Sequence, residues 1–253
     1  MENDKGLIIV LSGFSGAGKG TIMKHLLQSH PKEYNLSISA TTRSMRPSEQ
    51  EGREYFFKTK EEFKAMIDND ELLEYAEFAD RSYGTPRSYV EELINAGKDV
   101  LLEIEVQGAL QVKEKYPDAL LLFVTPPDAQ TLKERLVGRG TEPPEVIAQR
   151  LAISSKESHL MEKYDYLIIN DILEDSVNKV HNIIQNEKAR TKIINKNVLS
   201  EGDKTLDTFY LTERQYIMSQ KYDKLAEDLK SARTEIEEQN KLNLMNTLYK
   251  IIF

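Results

Sequence analysis

The chain of 253 residues contains no cysteine. Disulfide scaffolds, thiolate zinc sites, iron–sulfur clusters and cysteine nucleophiles are therefore excluded. Proline and glycine are scarce late in the chain, since every proline lies at or before Pro144 and the only glycine after Gly140 is Gly202. Because these two residues interrupt helices, their scarcity predicts that the last two-fifths of the chain is mainly helical.

Long hydrophobic runs are absent as well. The first apolar run, Leu7 to Leu11, is too short for the core of a signal peptide or for a membrane span. We therefore expect a cytoplasmic protein that does not associate with membranes. The formal net charge of −8, from 34 basic and 42 acidic residues, also argues against a nucleic-acid partner. An anionic ligand would need a local cluster of basic residues.

Short apolar runs alternate with segments that have helical spacing. The apolar runs, which we interpret as buried strands, are Leu7–Ser12, Val100–Glu105, Ala119–Thr125 and Tyr166–Asn170. The segments with helical spacing are Gly20–Ser29, Ser88–Ala96, Val106–Lys115 and Ala129–Val137. This alternation predicts an α/β fold with a doubly wound parallel sheet. In such folds, ligands bind at the carboxyl ends of the strands.

Two segments do not fit as simple connections. Residues 39–97 separate the first two predicted strands and include the helix-like run Lys60–Asp68, so we interpret them as an inserted lobe. Residues 135–150 are polar and rich in arginine, and we interpret them as a mobile lid. We predict one domain over residues 1–190 and a compositionally distinct, mainly helical extension over residues 191–253.

A glycine-rich loop follows the first predicted strand and opens the first predicted helix. It runs Gly13-Phe14-Ser15-Gly16-Ala17-Gly18-Lys19-Gly20-Thr21. The glycines let successive backbone N–H groups converge on phosphate oxygens, and the start of the helix adds the positive end of its dipole. Lys19 would bring a mobile positive charge to the β- and γ-phosphates. The loop predicts a nucleoside triphosphate site, but it does not identify an acceptor.

Ligands for Mg²⁺ are less clear from the sequence. Gly20 stands where the general pattern has a serine or threonine ligand, and the hydroxyl comes one residue later, at Thr21. Glu103 and Glu105 end the second predicted strand, and alternate residues of a strand face the same side of the sheet. They are candidates for holding Mg²⁺ through water and for contacting a base or ribose. The alternative is an ordinary polar strand edge.

A second cluster is basic. Arg43 and Arg46 lie three residues apart, close enough to hold one phosphate from two sides, and Tyr55 adds a phenolic hydroxyl. Taken alone, this segment is equally consistent with a polar loop of solvated arginines.

With these clusters in order along the chain, the sequence resembles the guanylate kinase family from Gly6 to about Lys188. The motifs that carry the resemblance are the loop around Lys19, Ser39–Arg46, Gly52–Tyr55, Glu74, Tyr83-Gly84-Thr85, Glu103–Gly108, Arg135–Thr141 and Asn170-Asp171. The resemblance implies transfer of the γ-phosphoryl group of ATP to GMP, and to dGMP, with Mg²⁺ as the cofactor.

The resemblance also implies roles for individual residues. Those implied to bind GMP are Ser39, Arg43, Arg46, Tyr55, Glu74, Tyr83 and Thr85, with Glu103 and Glu105 beside them. The implied lid arginines, which would stabilise the transferred group together with Lys19 and Arg43, are Arg135, Arg139 and Arg150. Asn170 is implied to lie beside the adenine of ATP. Glu105 departs from the family, which usually has aspartate at this position.

Two alternative functions stay open. Guanylate-kinase-like domains can serve as protein-interaction modules, but those typically have a degraded phosphate loop, whereas Gly18, Lys19 and Arg43 are present here. The second alternative is a kinase for another monophosphate, such as AMP, dTMP or UMP. Glu74 with Ser39 favours guanine, because a carboxylate matches the adjacent N1–H and amine of that base.

Two further sets of residues lie outside the resemblance or outside its motifs. From Tyr222, a three-four spacing of apolar residues predicts an amphipathic helix. We expect this helix to pack against the kinase domain or to mediate self-association. The four histidines, which are scattered and show no ligand spacing, are interpreted as surface or helix residues: His25, His30, His159 and His181.

Overall fold

The computed structural model describes residues 5–78, 80–138 and 143–196, together with the single positions 227, 230, 231, 234 and 238. These five positions are helical and fall within the predicted amphipathic helix. The rest of that helix, and the predicted lid residue Arg139, lie outside the described residues. The chain forms two compact units: residues 1–12, 19–122 and 180–184 in the first, and residues 13–18, 123–179 and 185–253 in the second.

Strands and helices alternate along most of the described chain. The strands are β1 Ile8–Gly13, β2 Tyr34–Leu36, β3 Ala40–Thr41, β4 Phe56–Phe57, β5 Leu72–Phe78, β6 Arg81–Pro86, β7 Asp99–Glu103, β8 Leu120–Thr125 and β9 Tyr166–Ile169. The helices are α1 Lys19–Ser29, α2 Lys60–Asp68, α3 Arg87–Asn95, α4 Val106–Lys115, α5 Ala129–Gly138, α6 Pro144–Ser158 and α7 Leu173–Lys196, with a short 3₁₀ turn at Met161–Lys163.

The larger sheet has the strand order β2-β7-β1-β8-β9. In the first unit β1 pairs in parallel with β7, with Ile8 opposite Val100, and β2 pairs in parallel with the other edge of β7. Every residue of β1 and of β8 is buried, which is why both read as continuous apolar runs in the sequence. The predicted α/β fold with a parallel sheet is confirmed.

One predicted strand ends earlier than expected. The prediction extended the second core strand to Glu105, but β7 stops at Glu103, and Glu105 is the residue that precedes helix α4, with extended backbone angles. Glu103 and Glu105 therefore do not share one face of a strand. The argument that paired them was wrong, because the alternation of side chains holds only while the strand continues.

A second sheet occupies the segment that joins β2 to β7. Its strand order is β4-β3-β6-β5, with β3 parallel to β4 and antiparallel to β6. Helix α2 covers a small apolar cluster here, in which Phe63 packs with Ala40 and Leu72. The helix begins at a reciprocal cap: the Thr59 side chain accepts from the Glu62 backbone N–H, and the Glu62 carboxylate accepts from that of Thr59.

The helices of both units bury apolar side chains. Helix α1 buries Ile22, Met23 and Leu26. Within the part of α7 that belongs to this unit, Val180 and Ile184 have no solvent exposure. In the second unit, α5 buries Leu132 and Leu136. No helix among the described residues is long and apolar enough to cross a membrane.

Candidate active site

The glycine-rich loop between β1 and α1 is anchored by a buried aromatic side chain. Phe14 has no solvent exposure and meets Phe123 of β8 edge to face, with ring centroids 5.0 Å apart. Ala17 is equally buried. Two apolar side chains of the loop are thus buried in the protein and anchor it. The groups of the loop that are available to a ligand are therefore mainly those of its polar backbone.

Glycine is required at particular positions of the loop. Gly16 and Gly18 adopt positive φ angles of 91° and 95°, which L residues rarely adopt. A Cβ atom on Gly18 would also lie only 2.4 Å from Nδ2 of Asn170. The turn that lets backbone N–H groups converge therefore depends on these residues being glycine.

Two side chains from elsewhere in the second unit hold the loop carbonyl of Ala17. The Asn170 amide donates to this oxygen at 2.8 Å. Arg135 donates to the same oxygen at 3.5 Å and to the Asn170 carbonyl at 2.9 Å. Asn170 follows β9 and is buried, and its backbone N–H donates to Thr125. Asn170 therefore shapes the loop in this structure, and its predicted place beside adenine stays a prediction.

A second predicted lid arginine also contacts the loop. The guanidinium of Arg150, on α6, donates to the Ser15 hydroxyl at 2.5 Å. Arg150 was the lid residue with the weakest case from sequence, because an arginine on a helix is commonly solvated. The structure places both Arg135 and Arg150 against the phosphate loop of their own unit.

The start of helix α1, in the first unit, carries Lys19, Gly20 and Thr21. A Cβ atom on Gly20 would stand 3.2 Å from a carboxylate oxygen of Glu103. Loss of hydration raises the pKa of Glu103, Lys19 opposes that effect, and the charge of Glu105 adds to it. The absence of a side chain at residue 20 thus leaves the Glu103 carboxylate room beside the helix start.

This arrangement fits the divalent cation that the sequence predicts. Mg²⁺ prefers carboxylate and hydroxyl oxygens, and in phosphate sites it typically keeps water and phosphate oxygens as its other ligands. Glu103 supplies a carboxylate next to the helix that begins at Lys19, and the Thr21 side chain is exposed one residue beyond Gly20.

The basic segment of the inserted sheet centres on a buried arginine. Arg43 is only 9% exposed, and its guanidinium lies 5.2 Å from the ring centroid of Tyr55 and 5.8 Å from that of Phe57. It donates to both carboxylate oxygens of Glu49, at 2.7 and 2.9 Å. Such a two-pronged ion pair over aromatic faces fixes the orientation of the guanidinium.

Glu49 is a residue that sequence reasoning missed. The hydrogen bond from Arg43, followed by that from the Arg46 backbone N–H, lowers the pKa of Glu49 to about 2. The same bond raises the pKa of Arg43. The sequence pointed to Glu49 only indirectly. A buried arginine needs an anionic partner, and Glu49 is the first acidic residue after Arg43.

Three arginines line one cleft of about 540 Å³ in the first unit. They are Arg43, Arg46 and Arg81, and an acid, Asp80, lies with them. The sequence pointed to the first two and missed Arg81, which comes from the start of β6. Tyr83, two residues along the same strand, meets Tyr55 with ring centroids 6.1 Å apart. The cleft has the charge to bind a phosphate group.

The strongest feature of the inserted sheet is a buried carboxylate. Glu74 on β5 is 5% exposed, and the fully buried Thr85 on β6 donates its hydroxyl to Glu74 Oε1 at 2.7 Å. A Cβ atom on Gly108 of helix α4 would come within 2.4 Å of Oε2. Glycine inside a helix costs about 1 kcal/mol relative to alanine, and here the space it leaves is occupied by the carboxylate.

The environment of Glu74 disfavours its charged form. Burial raises its pKa to about 7, against the opposing hydrogen bonds from Thr85, and the charge of Glu105 raises it further. Glu105 thus acts on both Glu74 and Glu103 from the position before α4. A partner that donates two hydrogen bonds to Glu74 would favour the carboxylate form.

Ser39 is predicted to contact the base, and the structure places it next to the inserted sheet. It is half-buried just before β3, and its carbonyl accepts a hydrogen bond from the Phe56 backbone. Within the first unit, the structure therefore groups Arg43, Arg46, Tyr55 and Tyr83, and separately joins Glu74 to Thr85.

The fold and the site define an α/β protein of the P-loop class, with a buried carboxylate in its inserted sheet. A family model described as guanylate kinase matches residues 5–187. The chain belongs to the guanylate kinase family, and it is an enzyme of the phosphotransferase class.

Individual relatives agree with this assignment. A guanylate kinase of Streptococcus agalactiae (strain NEM316) is 48% identical over 207 residues, which cover 81% of this chain and 99% of that protein. One from Lactococcus lactis (strain IL1403) is 50% identical over 187 residues, covering 74% and 91%. The crystal structure of guanylate kinase from Anaplasma phagocytophilum superposes with a TM-score of 0.58 at 31% identity, covering 73% and 87%.

The pKa of Glu74 should make folding stability depend on pH. Because the folded-state pKa of about 7 lies above the ordinary 4.5, the folded protein holds this proton more tightly than the unfolded chain. The resulting stabilisation is fully present below pH 4.5 and is lost as the pH rises to about 7. The uncharged Glu74→Gln variant, which still accepts from Thr85, should lack this loss.

Urea unfolding of both proteins at pH 5 and pH 8 measures the effect. The difference between wild type and Glu74→Gln in the free energy of unfolding should change by about 2 to 3 kcal/mol between these pH values. An identical pH dependence in the two proteins would show that Glu74 does not titrate in this range.

Proposed function

We propose that this protein is a guanylate kinase that transfers the γ-phosphoryl group of ATP to GMP, giving ADP and GDP. The observation that carries the proposal is the buried Glu74 carboxylate, held by Thr85 and standing in the space left by Gly108. The names of the relatives agree with it. The proposed contacts engage the base and the phosphate, so dGMP is proposed as a second acceptor.

Guanine is the base that suits this carboxylate. Its N1–H and exocyclic amine are adjacent donors and match the two oxygens of an ionised carboxylate. Its O6 is assigned to the Ser39 hydroxyl, because the single proton of the Thr85 hydroxyl is donated to Glu74. Adenine presents an acceptor at N1, so it can pair with Glu74 only when the carboxylate has taken up a proton. Because the pKa of Glu74 is about 7, discrimination against adenine should increase as the pH rises above 7.

The phosphate of GMP is assigned to the arginine cleft. Arg43 is held in place by Glu49 and by the faces of Tyr55 and Phe57 before any ligand arrives. Arg46 and Arg81 add two more positive charges to the same cleft. The hydroxyls of Tyr55 and Tyr83 are the neutral donors assigned to the phosphate oxygens. A preorganised cluster of this kind orients the acceptor at little entropic cost.

The triphosphate of ATP is assigned to the glycine-rich loop and to the start of α1. The backbone N–H groups of residues 13–18 and the Lys19 ammonium are the donors. Glu103 and Thr21 are the residues that would hold Mg²⁺. When bound, the cation neutralises charge on the β- and γ-phosphates.

The transfer step needs charge compensation and needs no general base. An oxygen of the GMP phosphate bonds to the γ-phosphorus as the bond from phosphorus to the β,γ-bridging oxygen breaks, and ADP leaves with that electron pair. The attacking oxygen is already an anion, so no proton has to be removed. Lys19, Arg43, Arg135 and Arg150, with Arg139, are assigned to stabilise the moving group.

Several accompanying assignments rest on sequence alone. We place the protein in the cytoplasm, with ATP and GMP as its partners and no nucleic acid among them. The extension over residues 191–253, which the sequence predicts to be mainly helical, is assigned a role in packing or self-association. Residues 1–190 are assigned to the kinase domain.

A panel of nucleoside monophosphates tests the choice of acceptor. With ATP as donor and a coupled assay for ADP release at pH 8, kcat/KM should be highest for GMP and lower for AMP, because AMP can pair only with the protonated form of Glu74. Faster turnover of AMP, dTMP or UMP would contradict the assignment of the base.

Replacing the loop lysine separates transfer from acceptor binding. Lys19→Ala should abolish turnover while leaving GMP affinity nearly unchanged, because Lys19 is assigned to the donor phosphates. The matched control is Lys24→Ala, an exposed lysine on the same helix, which should keep the wild-type rate. Steady-state assays and GMP titrations measure the two effects. Undiminished turnover in Lys19→Ala would refute its role, and GMP binding without turnover in the wild type would favour an interaction module.

A further inference from the structure

Two of the four histidines meet at the carboxyl end of helix α1, outside the nucleotide-binding residues. The rings of His30 and His181, 151 positions apart in the sequence, stack with centroids 3.8 Å apart and an angle of 8° between planes. Glu33 and Tyr34 complete the group, which we term the histidine cluster: His30, Glu33, Tyr34 and His181. Its members all belong to the first unit. His181 lies on a helix, as expected, but these two histidines are not scattered as the sequence analysis had them.

The backbone around the histidine cluster is well defined. His30 closes α1 through a hydrogen bond to Leu26, and the N–H of Glu33 donates to the His30 carbonyl, so both side chains belong to one tight turn. Tyr34 begins β2, is 4% exposed and pairs in register with Asp99. On α7, Val180 and Ile184 are fully buried, which fixes the face that carries His181.

The donor atoms are close enough to share one ion. His30 Nδ1 lies 3.1 Å from Glu33 Oε1, and one ligand atom from each of His30, Glu33 and His181 can be chosen so that all lie within 4.8 Å of one another. In a tetrahedral zinc site with bonds of about 2.0 to 2.2 Å, neighbouring ligand atoms are about 3.3 to 3.5 Å apart. A contraction of at most about 1.5 Å would therefore be sufficient.

The stacked rings must separate for an ion to bind. The lone pairs of two parallel imidazoles lie in parallel planes and do not converge on one point. Rotation of one ring about its terminal torsion, which has shallow preferences, brings the lone pairs together. The side chains of His30 and Glu33 are 23% and 44% exposed, so an ion and water can reach them during this rotation.

Tyr34 has the position of a supporting residue. Its hydroxyl oxygen lies 2.7 Å from His181 Nδ1. When that nitrogen carries the proton and donates to the tyrosine oxygen, the lone pair of the histidine is on Nε2. Metal-binding histidines commonly donate their second N–H to an oxygen in this way, which sets the tautomer and the ring orientation.

We propose that the histidine cluster binds a divalent transition-metal ion, with His30, Glu33 and His181 as ligands and zinc as the favoured ion. Two imidazoles and one carboxylate suit zinc, and they do not suit magnesium or calcium, which prefer oxygen ligands throughout. The ion would join the turn after α1 to helix α7. This site is independent of the proposed kinase reaction.

Zinc titration of the tag-free protein, without nucleotide, tests the site. Calorimetry should show one saturable event that Mg²⁺ does not compete away, and zinc should raise the midpoint of thermal unfolding. His30→Ala and His181→Ala should lose both effects. His25→Ala and His159→Ala replace exposed histidines elsewhere and should retain both. Tyr34→Phe should bind zinc about 10- to 100-fold more weakly.

A measurement on the wild-type protein guards against misfolded variants. Imidazole signals in nuclear magnetic resonance spectra should shift on zinc addition for His30 and His181 and stay in place for His25 and His159. Equal zinc binding by wild type and His181→Ala would overturn the proposal. So would unchanged signals from His30 and His181 at saturating zinc, which would leave the stacked pair as a packing contact between α1 and α7.

Discussion

A carboxylate that is buried away from water is costly to ionise, and the proposed recognition of guanine depends on one such group, Glu74. The Thr85 hydroxyl donates a hydrogen bond to Glu74, and burial raises the pKa of the acid to about 7. The folded protein therefore keeps a strong acceptor poised between its neutral and charged forms. A ligand with two adjacent donors gains more from this group than from an exposed acid, because water competes poorly for it.

In each of the two units, hydrogen bonds fix the position of polar or charged groups. In the second unit, the glycine loop is shaped by its positive φ angles and by Asn170 and Arg135, which both donate to the Ala17 carbonyl. In the first unit, Glu49 orients the Arg43 guanidinium by accepting two hydrogen bonds from it. Phosphoryl transfer between two anions has little covalent chemistry for the protein to perform, so such preorganised charges are the means of catalysis available to it.

The core was predictable because its signals are local. Fully buried parallel strands read as apolar runs, and the loop of residues 13–21 has a spacing with a direct physical meaning. Long-range partners were not predictable from one sequence: the contact of Arg150 with Ser15, the meeting of His30 with His181, and the inclusion of Arg81 in the arginine cleft all depend on tertiary packing. Glu105 was predicted to lie on the second core strand because strand ends can be predicted only to within a few residues. The strand ends two residues earlier, at Glu103, so the alternation of side chains along a strand does not apply to Glu105.

The claim that Glu74 reads both guanine donors is tested most directly by comparing GMP with inosine monophosphate, which has the same O6 and N1–H but lacks the amine. Calorimetry on the wild type should show GMP binding more tightly by about 10- to 100-fold, the value of one hydrogen bond to a charged group. In Glu74→Gln, whose amide opposes the guanine amine with a donor, this preference should vanish or reverse. An equal preference for GMP in both proteins would contradict the account.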